Sequence, residues 1–360
     1  MKLLAAMSGG VDSAVAAALA VKEGHSVTGV HMALMRNRQL ANMGSRGCCS
    51  IEDSNDAARV AQQLEIPFYV WDLSSDFQKK VVDDFISEYK AGRTPNPCIR
   101  CNEFIKFQTL LDKALALGFD GVVTGHWARR EGSALFRSAN KEKDQSYVLA
   151  VIDKELISKC YFPLGRFQSK DEIRKIASDF SFEIRDKAES TDICFIERGK
   201  TSQFLSQALG EKKGQILDVK GNEIGKHSGY FHFTIGQRKG LNIKTPTKNG
   251  DPRYVLKIDA KENEVIVGTK DELKKSEIFA KENTIYESDF ESCQIQIRAH
   301  SEPINAEKKV LHSSSDFEAN SSNSKTVQFA LSKPQKDGVS AGQALVAYNE
   351  DKVLGSYTII

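Results

Sequence analysis

The sequence predicts an α/β protein whose N-terminal domain is a doubly wound, Rossmann-like sheet, followed by a small β domain and a C-terminal β-barrel. Over residues 1–200, short apolar runs bounded by glycine or polar residues alternate with amphipathic helical stretches. That alternation is typical of a parallel sheet covered by helices. After Gly214, short alternating segments separated by turn residues prevail, as in small β domains and barrels. The predicted domains are 1–200, 201–270 and 271–360.

In the N-terminal domain, four apolar runs are expected to be buried parallel strands, and four stretches with a helical period to be helices. Ligands of such a sheet bind at the carboxyl ends of its strands. The predicted strands are Leu3–Met7, Ser26–Met32, Pro67–Leu73 and Gly121–Thr124, and the predicted helices are Val11–Lys22, Glu52–Leu64, Phe104–Leu117 and Lys170–Phe180.

The C-terminal part shows the period of two that strands produce when one face is buried. Ser313–Lys325 is rich in Ser, Asn and Asp and is expected to be a mobile hairpin loop. The predicted strands are Gln215–Val219, Val255–Ile258, Glu264–Val267, Cys293–Arg298, Thr326–Leu331, Ala344–Tyr348 and Val353–Thr358.

Composition excludes some classes of protein. A chain of 360 residues with 40% apolar and 27% charged residues is globular in balance and long enough for two or three domains. No apolar run approaches the roughly 20 residues that cross a bilayer, so no membrane partner and a cytoplasmic location are expected. The net charge of +2 neither demands nor excludes a nucleic-acid partner. Seven cysteines, an odd number, favour reactive thiols or metal ligands over a disulfide framework.

The strongest motif is Ser8-Gly9-Gly10-Val11-Asp12-Ser13, between the first predicted strand and the first helix. Glycines let the backbone approach phosphate oxygens, and the helix N-terminus offers unpaired N–H groups. No Gly-Lys-Ser/Thr follows, so this is not a Walker A loop. It suits holding a pyrophosphate that leaves. Asp12 is interpreted either as a residue that organises Mg²⁺ or as a first-turn acid favoured by the helix dipole.

Two further motifs contain cysteine. The first is Gly92–Asn102, which holds Cys98 and Cys101 behind two prolines; a thiol near a helix N-terminus and Arg100 is expected to have a lowered pKa. The second is Ser190–Ile196, with Cys194 93 residues beyond Cys101. Cys160 and Cys293 stand in apolar patterns and are expected in the core.

Taken together, these motifs closely resemble those of the MnmA-type tRNA-specific 2-thiouridylases, a family within the PP-loop (N-type ATP pyrophosphatase) superfamily. The resemblance covers nearly the whole length and keeps six blocks in order. The blocks are Ser8–Ser13, Gly92–Asn102, Thr124–Arg129, Lys143–Tyr147, Ser190–Ile196 and Thr234–Leu241.

The resemblance implies an enzyme that uses ATP to thiolate the wobble uridine of tRNA at C2. Cys101 would be the catalytic nucleophile and Cys194 the persulfide carrier. The ATP site would comprise Ala6, Met7, Ser8, Gly9, Gly10, Val11, Asp12, Ser13, Met32 and Gly125. The contacts to tRNA and its target base would comprise Asn96, Pro97, Cys98, Lys143, Asp144, Gln145, Arg298 and Ala299.

Partners and chemistry follow from the same resemblance. ATP with Mg²⁺ would convert the uracil O2 into a leaving group, and a protein such as a cysteine desulfurase or sulfur relay protein would supply sulfur. After the Cys194 persulfide attacks, Cys101 would release the thiolated base as a Cys101–Cys194 disulfide forms. The two residues must then come within a Cα separation of about 4.4–6.8 Å.

The sequence departs from the family pattern at two positions and leaves alternatives open. Cys98 stands where many members have Asp, and Ala299 follows Arg298 where Tyr is usual, with His300 as a substitute. An iron–sulfur cluster on Cys98, Cys101 and Cys194 is one alternative. A zinc site that includes Cys48 and Cys49 is another.

Two other functions compete at the level of the whole chain. One is a PP-loop ligase or amidotransferase that adenylates a small molecule, against which the C-terminal β domains count. The other is a non-catalytic tRNA- or nucleotide-binding module, against which the cysteines at both motif positions count. For His126 and Trp127, a role beside the nucleotide and a packing role are both consistent with the sequence.

Overall fold

The computed structural model describes residues 1–35, 51–187, 193–243, 250–311 and 325–360. They form two compact units: residues 1–83, 97–199 and 350–353 make up the first, and residues 84–96, 200–349 and 354–360 the second. In the part of the chain so described, no helix is long and apolar enough to cross a membrane.

Seventeen strands occur within the described ranges, numbered here in chain order. They are β1 (Lys2–Ala6), β2 (Ser26–Ala33), β3 (Phe68–Asp72), β4 (Gly121–Val123), β5 (Ala128–Glu131), β6 (Ala134–Arg137), β7 (Cys160–Tyr161), β8 (Gly214–Asp218), β9 (Glu223–His227), β10 (Tyr254–Asp259), β11 (Glu264–Gly268), β12 (Lys275–Ile285), β13 (Ser292–Gln296), β14 (Ile304–Leu311), β15 (Thr326–Gln335), β16 (Ala344–Asn349) and β17 (Lys352–Ile359).

The helices fall mainly in the first unit. The α-helices are α1 (Val11–Lys22), α2 (Ile51–Gln63), α3 (Ser74–Phe77), α4 (Asp83–Lys90), α5 (Pro97–Arg100), α6 (Leu110–Ala116), α7 (Ser146–Leu149), α8 (Lys154–Ile157), α9 (Lys170–Asp179) and α10 (Thr201–Leu209). Gln78–Val82 and Cys101–Thr109 are π-helical, and Pro163–Arg166, Glu183–Asp186, Tyr230–His232 and Asp271–Leu273 are 3₁₀ turns.

The first unit is built on a parallel sheet of order β3-β2-β1-β4-β7. The order reverses direction at β1, whose neighbours β2 and β4 lie on opposite sides, so the carboxyl ends of β1 and β4 flank a topological switch point. The alanine-rich helix α1 is buried along nearly its whole length and shares one apolar core with the sheet. The predicted doubly wound domain is confirmed.

One predicted helix has a different form. The period of Phe104–Leu117 predicts a continuous α-helix, whereas the chain is π-helical over Cys101–Thr109 and α-helical only over Leu110–Ala116. Ile105, Phe107 and Leu110 are all buried. A π-helical stretch is rare and frequently marks a functional site. A pattern of apolar residues cannot distinguish the two helices here.

The second unit contains two β structures. One is the sheet β10-β11-β8-β9; the other is a barrel in which β12-β15-β14-β13-β16-β17 closes by pairing of β17 with β12. Closure leaves no free edge among these six strands. Of the residues that the structure describes, fourteen buried side chains fill its interior, including Ile295, Phe329 and Tyr357. The small β domain and the barrel predicted from the alternating segments are thereby confirmed as fold types.

Some strands escaped the sequence prediction. The hairpin β5–β6 carries Arg129 and Arg130 and has too little apolar character to be recognised, yet it pairs with Lys352. β12 exposes alternate Lys and Glu side chains. Within Ser313–Lys325 only Lys325 is described, and Cys48, Cys49 and Ser190–Asp192 lie outside the described residues.

Candidate active site

The Ser8–Ser13 loop joins the end of β1 to the start of α1 and closes on itself. The Ser8 N–H donates to Ser13 Oγ at 3.1 Å, and the Ser13 hydroxyl donates to the Gly10 carbonyl at 2.9 Å. Gly10 is the N-cap and has no side chain to satisfy the first-turn N–H groups of α1. Those groups therefore face a ligand position with the positive end of the helix dipole behind them.

Two glycines of the predicted ATP site have no room for a side chain. Gly9 has φ of +75°, and a Cβ there would lie 2.3 Å from the Asp53 carbonyl oxygen. A Cβ on Gly125 would lie 2.6 Å from the Ser13 nitrogen. The segment after β4 thus packs directly on the backbone of the loop. The other predicted residues of this site that are at least nine-tenths buried are Ala6, Met7, Val11, Ser13 and Met32.

Two lysines distant in sequence hold the loop. Lys170, the first residue of α9, donates to Asp12 Oδ1 at 2.5 Å. Lys187 donates to the Gly9 carbonyl at 3.0 Å and to Asp53 at 2.7 Å, and it also pairs with Asp56. Burial alone would lower the pKa of Lys187, but the hydrogen bonds to Asp53 and Asp56 raise it overall. Both ammonium groups are therefore neutralised by carboxylates.

A third lysine has a different partner. Lys106 Nζ lies 3.4 Å from His126 Nε2, and His126 Nδ1 lies 2.8 Å from Thr124 Oγ1. His126 is buried and packs against the rings of Phe107 and Phe162. Burial first, and the Lys106 charge second, hold the pKa of His126 well below its usual range. The imidazole is neutral at pH 7.

Trp127, next in sequence, has a packing role. It is 1% exposed and belongs to the same apolar core as α1. Its backbone N–H donates to Gln145 Oε1 at 2.9 Å, and its backbone carbonyl accepts from the Gln145 backbone N–H at 2.8 Å. The packing interpretation of Trp127 is the one that the structure supports.

The first cysteine motif lies at the start of the π-helical segment. Cys98 is exposed on α5, whereas Cys101 is buried at the first π-helical residue. Asn102 is 3% exposed and donates to the Val148 carbonyl at 3.2 Å. Arg100, expected to act on the thiols, pairs with Glu103 at 3.0 Å. Asn96 is half-buried and Pro97 is buried.

Cys194 is half-buried in the same unit as Cys101. The neighbouring Phe195 packs edge-on against Phe77, with ring centroids 5.8 Å apart. Phe77 ends α3, and α3 contacts the Cys101–Thr109 segment. Both cysteines are thus attached to one group of packed elements.

The alternative metal sites find no matching geometry. No group of three or more His, Cys, Asp or Glu side chains arranged for a metal ion occurs among residues 1–35, 51–187, 193–243, 250–311 and 325–360. Cys98, Cys101 and Cys194 do not form one. Cys48 and Cys49, the remaining residues of the zinc alternative, lie outside these ranges.

Cys160 and Cys293 are core residues, as predicted. They are 1% and 8% exposed, and burial raises the pKa of each thiol to about 12. At neutral pH neither is a thiolate, which is the reactive form.

The Lys143–Gln145 segment directs most of its polar groups inward. Asp144 is 7% exposed, and its carboxylate accepts from Arg137 at 3.1 Å and from the Ser146 hydroxyl at 2.8 Å. Gln145 is engaged by Trp127. Lys143 is half-buried.

In the second unit, Arg298 lines an open cavity of about 510 Å³. Its guanidinium donates to the Asp337 carbonyl at 3.2 Å, which leaves other N–H groups available. Lys270 and Lys336 line the same cavity. Ala299 is half-buried and His300 is exposed. The cavity therefore has a basic wall at the position where the sequence predicts a tRNA contact.

Several residues of this site gave no signal in the sequence. Lys170 contacts Asp12, which lies 158 residues earlier in the chain, and Lys187 contacts Gly9, 178 residues earlier. In the sequence, charged residues at such positions are equally consistent with solvated helix faces. The cavity lysines are likewise separated from Arg298 along the chain.

The fold and site together define a phosphate-loop α/β protein with appended β domains, and comparison with known proteins agrees. Family models match successive parts of the chain: "tRNA methyl transferase HUP domain" over residues 1–198, "tRNA methyl transferase PRC-barrel domain" over 202–269 and "Aminomethyltransferase beta-barrel domain" over 272–359.

Named relatives indicate which family of phosphate-loop proteins the chain belongs to. A tRNA-specific 2-thiouridylase MnmA from Beutenbergia cavernae is 47% identical, the match covering 100% of this chain and 94% of the relative. Another from Clavibacter michiganensis subsp. michiganensis is 50% identical over 100% and 93%. A solved 4-thiouridine synthetase–RNA complex with bound ATP covers 57% of this chain and 50% of its own at 18% identity and a TM-score of 0.34, too low to bear on function. The chain belongs to the tRNA-specific 2-thiouridylase family.

Proposed function

We propose that this protein is an ATP-dependent tRNA-uridine 2-sulfurtransferase that acts on the wobble uridine through a cysteine persulfide. The observation that carries the proposal is the presence of a phosphate loop and both motif cysteines in one α/β unit of a chain that aligns along its full length with 2-thiouridylases. The family models carry the words "methyl transferase"; thiol pairs suit sulfur transfer better than methyl transfer.

The nucleotide would bind at the Ser8–Ser13 loop. Backbone N–H groups of α1 would bind phosphate oxygens. Gly9 and Gly125 support the loop by allowing close backbone packing, Gly9 against Asp53 and Gly125 against Asp12 and Ser13. The uridine O2 would attack the α-phosphate of ATP, and pyrophosphate would leave. Mg²⁺ bound to the triphosphate would add positive charge; Asp12, the acidic residue of the loop, is already paired with Lys170.

Sulfur transfer would then proceed in two steps. The terminal sulfur of the Cys194 persulfide attacks C2, and AMP leaves with the former carbonyl oxygen. The Cys101 thiolate then attacks the Cys194 sulfur. The bond between the Cys194 sulfur and the sulfur now attached to C2 breaks, and 2-thiouridine is released. The resulting Cys101–Cys194 disulfide must be reduced before the next cycle. A cysteine desulfurase or sulfur relay protein would reload Cys194.

tRNA would contact the protein through the residues that the family resemblance assigns. Asn96, Pro97 and Cys98 would face the target base. Asp144, enclosed by Arg137 and Ser146, would act by fixing the segment that presents Lys143 and Gln145. In the second unit, Arg298 and Ala299 would face RNA at the cavity, where a phosphate would meet basic side chains.

The test measures incorporation of ³⁵S into tRNA by the full-length protein, with ATP, Mg²⁺, ³⁵S-labelled cysteine, a cysteine desulfurase and a thiol reductant that reduces the Cys101–Cys194 disulfide between cycles. Cys101→Ala and Cys194→Ala should each reduce incorporation at least 100-fold. Cys160→Ala and Cys293→Ala are matched controls, because both thiols are buried and protonated; they should retain at least half of the activity. Full activity in either site variant would refute the two-thiol scheme.

Three further measurements separate the competing functions. Iron and acid-labile sulfide analysis after anaerobic purification tests the cluster alternative, which requires stoichiometric iron that is lost in Cys98→Ala. Pyrophosphate release without tRNA would favour a ligase acting on a small molecule. Transfer of a labelled methyl group to tRNA from S-adenosylmethionine would favour a methyltransferase.

A further inference from the structure

Three lysine ammonium groups lie at the nucleotide end of the first unit, and only one of them lacks an acidic partner. Lys170 pairs with Asp12, and Lys187 pairs with Asp53 and Asp56. Lys106 contacts the imidazole of His126, and no carboxylate of the described residues lies within 4.0 Å of its ammonium. Because the group that holds this half-buried cation is neutral, no neighbouring negative charge offsets it, and its charge is available to a ligand.

The hydrogen-bond pattern fixes the tautomer of His126. An ammonium has donors only, so Nε2 of His126 must be the acceptor from Lys106. The proton of the neutral ring is then on Nδ1, which donates to Thr124 Oγ1 at 2.8 Å. The Phe107 and Phe162 rings both pack against the imidazole. Thr124 and His126 therefore orient the Lys106 ammonium without neutralising it.

The lysine stands between the two functional parts of the site. Gly125, between Thr124 and His126, lies against the backbone of Asp12 and Ser13 in the phosphate loop. Lys106 itself belongs to the π-helical segment that begins at Cys101. Charge placed here can act on an anion that is bound at the loop and attacked next to Cys101.

We propose that Lys106 is a further nucleotide-binding residue, whose ammonium binds a phosphoryl oxygen of the nucleotide while Thr124 and His126 serve as positioning residues. This inference rests on the proposed function. The Ser8–Ser13 loop contains no lysine, and a pre-oriented cation that meets negative charge on the transferring phosphoryl group stabilises the transition state. Lys106 supplies that charge from outside the loop.

The test measures binding of ATP, AMP and inorganic pyrophosphate to the full-length protein by titration calorimetry. Lys106→Met should bind ATP about 10- to 100-fold more weakly, the usual effect of losing one charged hydrogen bond. Weakened AMP binding places the ammonium on the α-phosphoryl group, and weakened pyrophosphate binding places it on the leaving group. Lys106→Gln provides a second neutral variant, and Lys106→Arg should restore at least a third of the affinity.

Lys113→Met is the matched control, because Lys113 is exposed on α6 above the Trp71 ring. It should bind all three ligands as the wild type does. Unchanged affinity for all three ligands in both neutral Lys106 variants would overturn the inference. A wild-type protein that fails to bind ATP would refute the proposed function instead, so the two failures are distinguishable.

The positioning role has its own readout. His126→Gln keeps an acceptor for Lys106 and should stay within about threefold of the wild type in ATP KM and kcat. His126→Leu removes the acceptor and should lower kcat/KM for ATP about tenfold while leaving KM for tRNA unchanged. Equal losses in both variants, or equal changes in KM for both substrates, would indicate a structural role only and overturn the assignment of His126.

Discussion

The phosphate-loop end of the first unit and the cavity of the second unit are built from different kinds of groups. At the loop, main-chain atoms lie so close together that Gly9 and Gly125 have no space for a Cβ, and partly buried ion pairs fix the backbone. At the cavity, the side chains of Arg298, Lys270 and Lys336 surround about 510 Å³ of open space. A site made of backbone is intolerant of small changes, whereas a site made of long basic side chains loses its affinity gradually.

The largest expected effect is that of Gly9→Ala. A Cβ would lie 2.3 Å from the Asp53 carbonyl oxygen, so the loop must move. We expect at least a 100-fold loss of ATP-dependent activity and a loss of about 2–3 kcal/mol in stability. Assays of ATP-dependent thiolation and chemical unfolding measure both.

Gly118→Ala is a control with matched strain. Gly118 has φ of +78°, close to the +75° of Gly9, but nothing lies within 4 Å of its Cβ position. It should show only the cost of a left-handed backbone, about 1 kcal/mol, with activity within twofold of the wild type. Similar losses in Gly9→Ala and Gly118→Ala would contradict the comparison of the loop with the cavity. They would show that the close backbone contact at Gly9 does not matter.

The second effect is that of Lys187→Met. This change removes the Lys187 ammonium from Asp53 and Asp56, whose side chains are 13% and 14% exposed, and it removes the ammonium that donates to the Gly9 carbonyl. Asp56 keeps its ion pair with Arg59. We expect a loss of about 1–2 kcal/mol, below that of a fully buried pair because Lys187 is one-third exposed. The midpoint of urea unfolding measures it.

The raised pKa of Lys187 extends this prediction to the pH dependence of stability. Since the pKa of Lys187 is raised above 10.5, its contribution is fully present at lower pH and is lost only as pH rises through the folded-state pKa. The loss in Lys187→Met should therefore be constant between pH 6 and pH 9. Combining it with Asp56→Asn should cost less than the sum of the single changes; additive costs would show that the two side chains do not interact.

The sequence was sufficient to predict the sheet and the loop because both depend on local pattern. Short apolar runs and a glycine-rich junction determine β1, the phosphate loop and α1 within about twenty residues, and the structure has these elements within a residue or two of their predicted bounds. The barrel also follows from period-two segments, although β12 and β14 expose enough charged residues to conceal them.

What sequence could not predict depends on contacts between distant residues. The sequence around Lys187 does not indicate that this side chain contacts Gly9. The sequence around Lys106 does not indicate that its partner is an imidazole and not a carboxylate. The sequence also gives no indication that the Asp144 side chain is buried, because a charged residue in a polar segment is normally expected to be exposed. The roles of Cys101 and Cys194 remain predictions from family resemblance.

The third effect belongs to the second unit and depends on pH. Burial lowers the pKa of His227, which packs against Phe233 near His232. A depressed pKa means that stability is present above about 6.5 and is lost as pH falls, because the unfolded chain takes up a proton that the folded chain refuses. The loss is at most about 1.4 kcal/mol per pH unit.

Chemical unfolding at pH 7.5 and pH 5.5 measures this loss. His227→Gln should reduce the acid-induced shift of the unfolding midpoint, whereas His300→Gln, at an exposed position, should leave it as in the wild type. The same shift in all three proteins would mean that His227 takes up its proton equally well in the folded chain.

The smallest effect is expected at the cavity, where each basic side chain makes one contribution among several. Lys336→Ala should weaken tRNA binding about three- to fivefold, and the slope of log affinity against log salt concentration should fall by about 1, as when one phosphate contact is lost. Lys257→Ala is the control, because Lys257 pairs with Asp259 at 3.0 Å and does not line the cavity; its slope should not change. If Lys336→Ala abolished binding, the cavity would be as intolerant as the phosphate loop. If Lys257→Ala had an equal effect, tRNA would be sensing overall charge, and the basic wall around Arg298 would not be its contact surface.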